Sequence, residues 1–430
     1  MGRLAGLFAI FAGLSAVVAA PVEPRGLGSS SFSLEVAKKE SYKLDYLKDW
    51  AAAHSKWVGG VPEGASKLFS LAPGESQVDV QPMSRDEVYV AEIEIGTPPQ
   101  KLKVALDTGS SDVYVSGMPS KNCLWVQSMD TRYRINQHGP WPPRYNPNVS
   151  TSARKIDNAM WNIRYVAADD SNAVGIVYRD VLRLGDFEVK NALIESAALV
   201  SDTFEMETGF SGIMGLAKQL KNNIQPPQPN FLSVLGRQLK APVFTVDLRK
   251  NATSHFGFGH VNESLGSDKL SWLQSNPKNP HWAVEFDLTA WTGNHSVWMY
   301  HKFEAIIDTG TSLMFMPDPL ASMYWRQVPE VETSLATYGS YRFPCRIGDE
   351  LPDLLLKLPG TEHVLTIPGR YLNYGPTEED PSICWGGMQS SGQLGGTAIL
   401  GDVMLKALFV AFDLDKGRVG FANKVLHDVK

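Results

Sequence analysis

One tripeptide with the potential for acid–base chemistry occurs twice in this chain of 430 residues. Asp-Thr-Gly occupies residues 107–109 and 308–310, each time behind an apolar run and ahead of a hydroxyl residue and a second apolar run. The flanking segments, residues 104–115 and 305–316, predict two copies of one element: a strand, a tight turn that carries a carboxylate, and a second strand. One copy would indicate only a hydrogen-bonded aspartate, but two copies provide a pair of carboxylates.

The two carboxylates, Asp107 and Asp308, would share one proton if the two copies pack face to face. Burial on a turn between strands raises the pKa of a carboxyl group, and hydrogen bonds to the ionised form lower it. Two carboxylates at one seam repel each other when both are ionised, so the pair would carry a single proton in acid. One member could then take a proton from a water while the other donates a proton to the carbonyl oxygen that the water attacks.

The residues around each carboxylate have the types that such a turn needs. Glycine permits unusual backbone dihedral angles and a close approach of backbone to ligand. A threonine hydroxyl can brace one loop against the other, and a hydroxyl behind the turn can hydrogen-bond the carboxylate and favour its ionised form. These supporting residues are Thr108, Gly109, Ser110, Thr309, Gly310 and Thr311.

The rest of the chain has the pattern of a β-protein. Short runs rich in Val, Ile, Phe and Tyr alternate with Gly, Asn and Pro turns, and the best helical patterns, at residues 230–239 and 319–328, are brief. The internal repetition predicts two lobes, residues 86–262 and 263–430. A net charge of −6 with no basic run gives no indication of a nucleic-acid partner.

Four further segments accompany the two turns. Two are apolar segments that contain glycine, one is an opening strand and turn, and one is a long apolar run near the C-terminus. These segments are residues 212–216, 398–402, 88–100 and 401–413, with 420–422 behind the last. Together with the two turns, they make the chain resemble the pepsin-like aspartic endopeptidases, most of all the secreted fungal branch, from residue 88 to residue 422.

The resemblance implies an all-β, two-lobed pepsin-like fold with an active-site cleft between the lobes. It implies a monomer that hydrolyses internal bonds of polypeptide substrates at acid pH through a water activated by Asp107 and Asp308. Ser110 and Thr311 would hydrogen-bond the outer carboxylate oxygens. No metal or organic cofactor is expected, because the shared proton performs the acid–base work. The alternative is a catalytically impaired or repurposed member that binds peptides or another ligand in the cleft.

The flap motivates that alternative. In this family a β-hairpin closes over the substrate, with a tyrosine in a Tyr-Gly-x-Gly setting, and Trp-Asn-Ile-Arg-Tyr at residues 161–165 makes Tyr165 the matching residue. Residues 166–175 depart from the pattern, because their tip lacks glycine and is longer than usual. Tyr114 also departs, since it stands where the family most often has a tryptophan that donates a hydrogen bond to the flap tyrosine.

The N-terminus predicts secretion. Arg3 precedes an apolar run, residues 4–20, that ends in small residues, which is typical of a signal peptide over residues 1–20. Pro21 disfavours cleavage directly before it, so the cut is expected after Ala19 or nearby. A signal anchor is the alternative interpretation, but the run is short, and we expect no membrane attachment. The expected location is extracellular, with the vacuole as the alternative.

Residues 21–85 differ in composition from the remainder of the chain and predict a propeptide. Segments 32–39 and 42–58 mix apolar and charged residues at near-helical spacing. Residues 45–57 give a helix, and its apolar side contains Leu47, Trp50, Ala51 and either Ala53 or His54.

Self-inhibition by this propeptide is implied by the resemblance, because a basic residue neutralises the catalytic pair in zymogens of the family. The run that begins at Lys56, Lys-Trp-Val-Gly, resembles the fungal segment that carries this residue. Lys38 and Lys39 remain competing candidates.

Glycosylation and one disulfide are also expected. Secretion permits a disulfide, and the resemblance pairs Cys345 with Cys384 and leaves Cys123, the third cysteine, as a buried or capped thiol. Four Asn-x-Ser/Thr sequons are candidate glycosylation sites. They begin at Asn148, Asn251, Asn262 and Asn294.

Overall fold

The structure, a computed structural model, describes residues 31–38, 46–58, 89–117, 143–164, 172–185, 187–200, 211–218, 223–250, 252–292, 298–334 and 339–426. Strands dominate this part of the chain, and the predicted all-β fold is confirmed. No helix within the described ranges has the length and apolar character needed to cross a membrane.

The strands belong to three sheets. In chain order they are β1 (Phe32–Lys38), β2 (Tyr89–Ile95), β3 (Gln100–Asp107), β4 (Val113–Ser116), β5 (Arg154–Arg164), β6 (Asn172–Leu184), β7 (Phe187–Val200), β8 (Gly212–Gly215), β9 (Ile224–Gln225), β10 (Val243–Asp247), β11 (Ser254–Phe258), β12 (Ser271–Gln274), β13 (Ala283–Trp291), β14 (Met299–Ile307), β15 (Met314–Met316), β16 (Glu332–Ser334), β17 (Ser340–Pro344), β18 (Leu354–Lys357), β19 (Val364–Ile367), β20 (Asn373–Pro376), β21 (Ile383–Gly386), β22 (Met388–Ser390), β23 (Ala398–Leu400), β24 (Leu408–Asp413) and β25 (Arg418–Asn423).

The largest sheet joins strands from both halves of the chain. Its order is β12-β25-β24-β10-β11-β1-β2-β3-β8-β4-β7-β6-β5-β9. The second sheet has the order β19-β18-β13-β14-β23-β15-β22, and the third has the order β16-β17-β21-β20. The C-terminal strands β24 and β25 therefore lie in the same sheet as the strands of the first half.

The same local arrangement surrounds each Asp-Thr-Gly turn. In the first half, β8 lies parallel to β3 and antiparallel to β4. In the second half, β23 lies parallel to β14 and antiparallel to β15. The strand before each turn and the strand after it are thus held together by a third strand, β8 or β23, from later in the chain.

Helices are few and short in the described residues. They are α1 (Tyr46–Val58), α2 (Phe231–Leu235), α3 (Asp318–Trp325) and α4 (Asp402–Leu405). The two brief helices expected from the sequence correspond to α2 and α3, and α2 begins where the side chain of Asn230 accepts a hydrogen bond from the Ser233 backbone N–H. The four-residue helix α4 carries too short a pattern to have been predicted.

The N-terminal segment contains one strand and one helix. The expected helix is confirmed as α1, and Trp50, Ala53 and His54 are buried on its inner side. The near-helical spacing proposed for residues 32–39 is wrong over its described part, because β1 pairs antiparallel with both β11 and β2. Every second side chain from Phe32 to Val36 is buried, which is the period of a strand.

The expected disulfide is present. Cys345 and Cys384 are bonded, with 4.9 Å between their Cα atoms, and they fasten the start of a helical turn to β21. Cys123 lies outside the described residues.

Candidate active site

The two Asp-Thr-Gly turns meet at the seam between the lobes and brace each other symmetrically. The Thr108 hydroxyl donates to the Ile307 carbonyl at 2.8 Å, and the Thr309 hydroxyl donates to the Leu106 carbonyl at 2.6 Å. Each hydroxyl also accepts the backbone N–H of the opposite threonine, at 3.0 Å in both directions. Four hydrogen bonds therefore fix one Asp-Thr-Gly turn against the other.

The glycines of the turns allow this close contact. A Cβ atom at Gly109 would collide with the carboxylate of Asp308, and a Cβ atom at Gly310 would collide with the carboxylate of Asp107. Each glycine instead donates its backbone N–H to the aspartate of its own turn, at 2.8 and 2.9 Å. The two carboxylates are thereby buried face to face.

The hydroxyls of Ser110 and Thr311, which follow the two turns, differ in their hydrogen bonds to the aspartates. Thr311 donates a short hydrogen bond to the Oδ2 atom of Asp308. The Ser110 hydroxyl is close enough to Asp107 to lower the pKa of that carboxyl group, but it makes no well-aligned hydrogen bond within the described chain.

Lys56, at the C-terminal end of α1, lies between the two aspartates. Its ammonium nitrogen is 2.8 Å from Asp107 Oδ1 and 2.9 and 3.1 Å from the two oxygens of Asp308. Of the three candidate lysines, Lys56 therefore contacts the pair. Lys38 is the last residue of β1, and Lys39 lies outside the described residues.

Burial and the lysine charge together set the protonation of the pair. Burial raises the pKa of Asp107, but the charge of Lys56 and several hydrogen bonds outweigh it, so that the pKa is lowered. The pKa of Asp308 is raised, because burial and the Asp107 charge outweigh the opposing effect of Lys56. Burial lowers the pKa of Lys56, but the two carboxylates outweigh burial and raise it. The two aspartates thus prefer different protonation states.

Contacts along α1 hold Lys56 in position. The Tyr46 ring stacks on Trp385 with centroids 4.2 Å apart, and Asp49 accepts a 2.6 Å hydrogen bond from the Tyr374 hydroxyl. Both partners belong to the third sheet, so the helix is anchored on the second half of the chain. At the other end of the helix, the Trp57 indole donates to the Thr311 hydroxyl at 3.3 Å.

The segment expected to form the flap is the hairpin of β5 and β6, and its tip, which includes Tyr165, lies outside the described residues. Tyr114 is buried on β4 and stacks on Trp161 of β5, with centroids 5.2 Å apart. The Trp161 indole in turn donates to Asp112 at 3.3 Å. Tyr114 therefore supports the base of the flap.

A second pair of buried carboxyl groups, absent from the sequence-based predictions, lies behind the first Asp-Thr-Gly turn. Asp112 accepts hydrogen bonds from the backbone and side chain of Asn223, both at 2.7 Å. Glu195 is buried beside it, and burial, followed by the charge of Asp112, raises the pKa of Glu195 well above its ordinary value. An acidic residue inside the apolar run of residues 192–200 was the available sequence signal.

Two of the four candidate glycosylation sites can be located. Asn148 and Asn262 are exposed, as a glycan requires. Asn251 and Asn294 lie outside the described residues.

Comparisons with known proteins agree with this geometry. Residues 88–424 match the family model described as eukaryotic aspartyl protease. Endothiapepsin of Cryphonectria parasitica is 31% identical over 93% of this chain and 91% of its own. Aspergillopepsin-1 of Aspergillus flavus is 30% identical over 97% and 98%, and aspartic protease pepA of Arthroderma gypseum is 31% identical over 98% of each chain. The chain therefore belongs to the fungal pepsin-like aspartic proteases, since it combines two Asp-Thr-Gly turns and an all-β fold with these similarities over nearly the full length.

Proposed function

We propose that this aspartic protease is a secreted, monomeric zymogen that cleaves internal peptide bonds at acid pH with Asp107 and Asp308. The observation that carries the proposal is the pair of cross-braced turns, which bury two carboxylates on opposite sides of one position. The two carboxylates are close enough to contact one ammonium nitrogen, at 2.8 and 2.9 Å. Two negative charges this close repel each other, so one shared proton is favoured, and a pair with one proton can act as acid and base in the same step.

The contacts of Lys56 support the position of the attacking water. Its nitrogen lies within hydrogen-bond distance of both aspartates, at 2.8 and 2.9 Å. A water that takes this place after the lysine leaves would donate a proton to the ionised carboxylate. The protonated carboxyl group would donate its proton to the oxygen of the substrate carbonyl, so that the pair has exchanged roles when the tetrahedral intermediate forms.

The same contacts support self-inhibition by the propeptide, residues 21–85. The ammonium group occupies the proposed place of the water, and the next residue of α1, Trp57, donates a hydrogen bond from its indole to the Thr311 hydroxyl. The positive charge of Lys56 favours the ionised form of both aspartates, so the lysine binds most tightly when both are ionised. Acid protonates the pair, weakens this attraction and favours release of the propeptide. Residues 1–20 would direct the precursor to secretion.

Flap closure is the remaining part of the proposed mechanism. Tyr165 would cover the bound substrate, and Tyr114, through its contact with Trp161, would set the position of the flap base. Because closure orients a substrate and excludes water, a tip without glycine favours slower or narrower proteolysis than that of a general digestive relative.

Substitution of the aspartates tests the proposal. Asp107→Asn and Asp308→Asn should each lower kcat on an unfolded protein at acid pH by orders of magnitude, and the double variant should lose little more, because the pair acts as a unit. Asp349→Asn, on an exposed residue, is the matched control.

Near wild-type activity in either single variant would contradict the assignment of the pair. An activated wild type that binds a statine-type transition-state analogue but cleaves nothing would favour the alternative, a protein that binds peptides in the cleft.

A further inference from the structure

A serine, a histidine and an aspartate from the second half of the chain form one hydrogen-bonded row. Ser271 is the first residue of β12, His363 directly precedes β19, and Asp268 lies three residues before Ser271. The Nδ1 atom of His363 is 2.7 Å from the Ser271 hydroxyl oxygen, and its Nε2 atom is 2.9 Å from Asp268 Oδ2. The imidazole therefore lies between a hydroxyl group and a carboxylate.

The carboxylate of Asp268 is held in place by the end of β25. The Asn423 backbone N–H donates to Asp268 Oδ1 at 2.9 Å, and the Asn423 amide donates to Asp268 Oδ2 at 2.7 Å. Asn423 is fixed in turn, because its side-chain oxygen accepts the Thr366 N–H at 2.9 Å and its amide donates to the Val364 carbonyl at 2.8 Å. Asp268 is thus positioned as an acceptor beside the imidazole.

These contacts determine which nitrogen of the neutral His363 ring carries the proton. A carboxylate can only accept hydrogen bonds, so Nε2 donates to Asp268. The Asn423 amide is 3.5 Å from Nε2, which is too long to compete with this bond. Nδ1 then has a lone pair, and the Ser271 hydroxyl is the donor of the 2.7 Å bond to it. The hydroxyl proton of Ser271 is therefore directed at a base.

The serine end of this row lies at the edge of a sheet. Ser271 is half-buried, and the side chain of Asp268 is 37% exposed, against 13% for His363. Within the described residues, β12 pairs only with β25 and ends the strand order of the largest sheet. A small molecule can therefore approach the Ser271 hydroxyl from the open side of β12.

Strand β12 also directs a backbone donor toward this open side. In an antiparallel pair, every second residue bonds to the partner strand, and the residues between them point their N–H groups away from it. Just beyond β12, the Ser275 N–H donates to the Gly417 carbonyl at 3.0 Å. The same two-residue alternation turns Ser271 toward its partner Phe421 and the Trp272 N–H away from β25. An N–H directly after a serine nucleophile can stabilise a developing oxyanion.

We propose that Ser271, His363 and Asp268 form a second reactive centre, in which Ser271 is a nucleophile toward small activated esters. The inference goes beyond the proposed proteolysis and does not depend on it. As the Ser271 oxygen attacks the ester carbonyl carbon, His363 Nδ1 takes the hydroxyl proton, while Asp268 holds the ring in the required tautomer. The bond to the leaving alcohol then breaks, His363 returns the proton to that alcohol, and the acyl group stays on Ser271. A water that gives its proton to the same nitrogen releases the carboxylic acid and restores the hydroxyl.

A fluorophosphonate reagent tests the nucleophile in the full precursor, in which Lys56 still contacts both catalytic aspartates. The reaction is run at about pH 8, because an imidazole acts as a base only when it is neutral. The Ser271 oxygen would displace fluoride from phosphorus, and its proton would pass to His363. Modified residues are identified by peptide mass spectrometry, and we expect Ser271 to be labelled at least about a hundredfold faster than other serines, as a positioned base allows.

Variants assign the roles within the row. Ser271→Ala should abolish the label and reduce the release of nitrophenolate from p-nitrophenyl acetate to the rate of the uncatalysed reaction. His363→Gln should slow labelling of Ser271 by at least about a hundredfold, and Asp268→Asn by at least about tenfold, because the tautomer is no longer fixed. Ser382→Ala is the matched control, since the exposed Ser382 hydroxyl donates directly to the Asp380 carboxylate at 2.7 Å. It should leave the labelling of Ser271 unchanged.

A thiol at the same position gives a test that keeps the histidine and the aspartate. The thiol of Ser271→Cys should react with iodoacetamide at least about tenfold faster than that of Ser382→Cys, because the imidazole takes up its proton. Melting temperatures show that the compared variants are folded.

Three results would each overturn the inference. They are labelling of Ser271 no faster than that of Ser382, labelling that is unchanged in a folded His363→Gln variant, and nitrophenolate release by the wild type that equals release by Ser271→Ala. The row would then be only a clamp that fastens β12 to β19. Because these measurements use the precursor and need no proteolysis, such results would leave the proposed proteolytic function intact.

Discussion

Replacement of Lys56 by methionine should free the precursor from its dependence on acid. The ammonium group contacts three carboxylate oxygens at 2.8–3.1 Å, and its side chain is only 12% exposed, against 5% for Asp107 and 0% for Asp308. Solvent therefore screens these contacts little. Removal of one partner from a buried ion pair costs about 3–5 kcal/mol. The equilibrium between the closed and open precursor should shift by roughly a hundredfold to several thousandfold toward the open form.

The pH dependence of this effect has a definite sign. The Lys56 charge favours the ionised form of both aspartates, even though burial and the Asp107 charge leave the pKa of Asp308 raised. Its binding is therefore strongest when both are ionised and weakens as falling pH protonates them. Its own pKa is raised above 10.5, so the lysine stays charged throughout the neutral and acid range. The wild type should thus open only in acid, whereas Lys56→Met should open with little dependence on pH.

Conversion of the precursor measures this shift. The precursors are purified at alkaline pH and transferred to a series from about pH 2 to pH 7, because the pKa is about 2 for Asp107 and about 6 for Asp308 in the closed form. Half-times are taken from gels and from release of a fluorescent peptide. Lys56→Arg keeps the charge and should retain most of the acid dependence, and Lys101→Met controls for loss of an exposed lysine. Equal half-times for Lys56→Met and the wild type across this series would refute an inhibitory role for the ion pair.

Three further predictions concern stability and the flap. Glu195→Gln should make the melting temperature fall less steeply with rising pH. A carboxyl group whose pKa is raised in the folded state contributes its full stability below its ordinary pKa of 4.5 and loses that contribution as the pH rises through the folded-state pKa. Equal slopes of melting temperature against pH for the variant and the wild type would contradict this. Replacement of Cys345 and Cys384 by serine should cost about 3–4 kcal/mol in unfolding free energy, from the loop that the bond closes, and an unchanged urea midpoint would show that the bond contributes nothing. Tyr114→Trp, combined with a flap tip shortened to Tyr-Gly-x-Gly, should raise kcat/KM on a denatured protein, because better closure improves substrate orientation, and an equal value would show that the departures are neutral.

The two Asp-Thr-Gly turns could be predicted from the sequence because each depends only on neighbouring residues. The residues around each aspartate specify a strand, a tight turn and a second strand, and the repetition indicates the pairing. The choice among Lys38, Lys39 and Lys56 could not be made in the same way, because nothing local distinguishes a solvated lysine from one that reaches a partner 51 residues away. That choice depends on where α1 docks on the third sheet.

Strand β1 and the proximity of Glu195 to Asp112 could not be predicted from the sequence for a related reason. Residues 32–38 carry both apolar and charged side chains, and only their pairing with β2 and β11 decides between a helix and a strand. The proximity of Glu195 to Asp112 depends on the parallel register of β4 and β7, which places Tyr114 opposite Glu195. Such contacts between distant segments leave no periodic signal in either segment.

The position of strand β1 within the largest sheet bears on whether the proposed activation can be reversed. It lies inside the largest sheet, with β11 on one side and β2 on the other, and it is joined to the lobes through the chain between residues 58 and 89. While that connection is intact, rebinding of the strand is intramolecular, and its effective concentration does not fall on dilution. A cut in the connection turns the same hydrogen bonds into contacts between two molecules, and dilution into the surrounding medium then removes the strand for good. Under the proposed zymogen mechanism, the protease would therefore commit to its active form through the loss of a tether, and a later return to neutral pH would not restore the inhibited state.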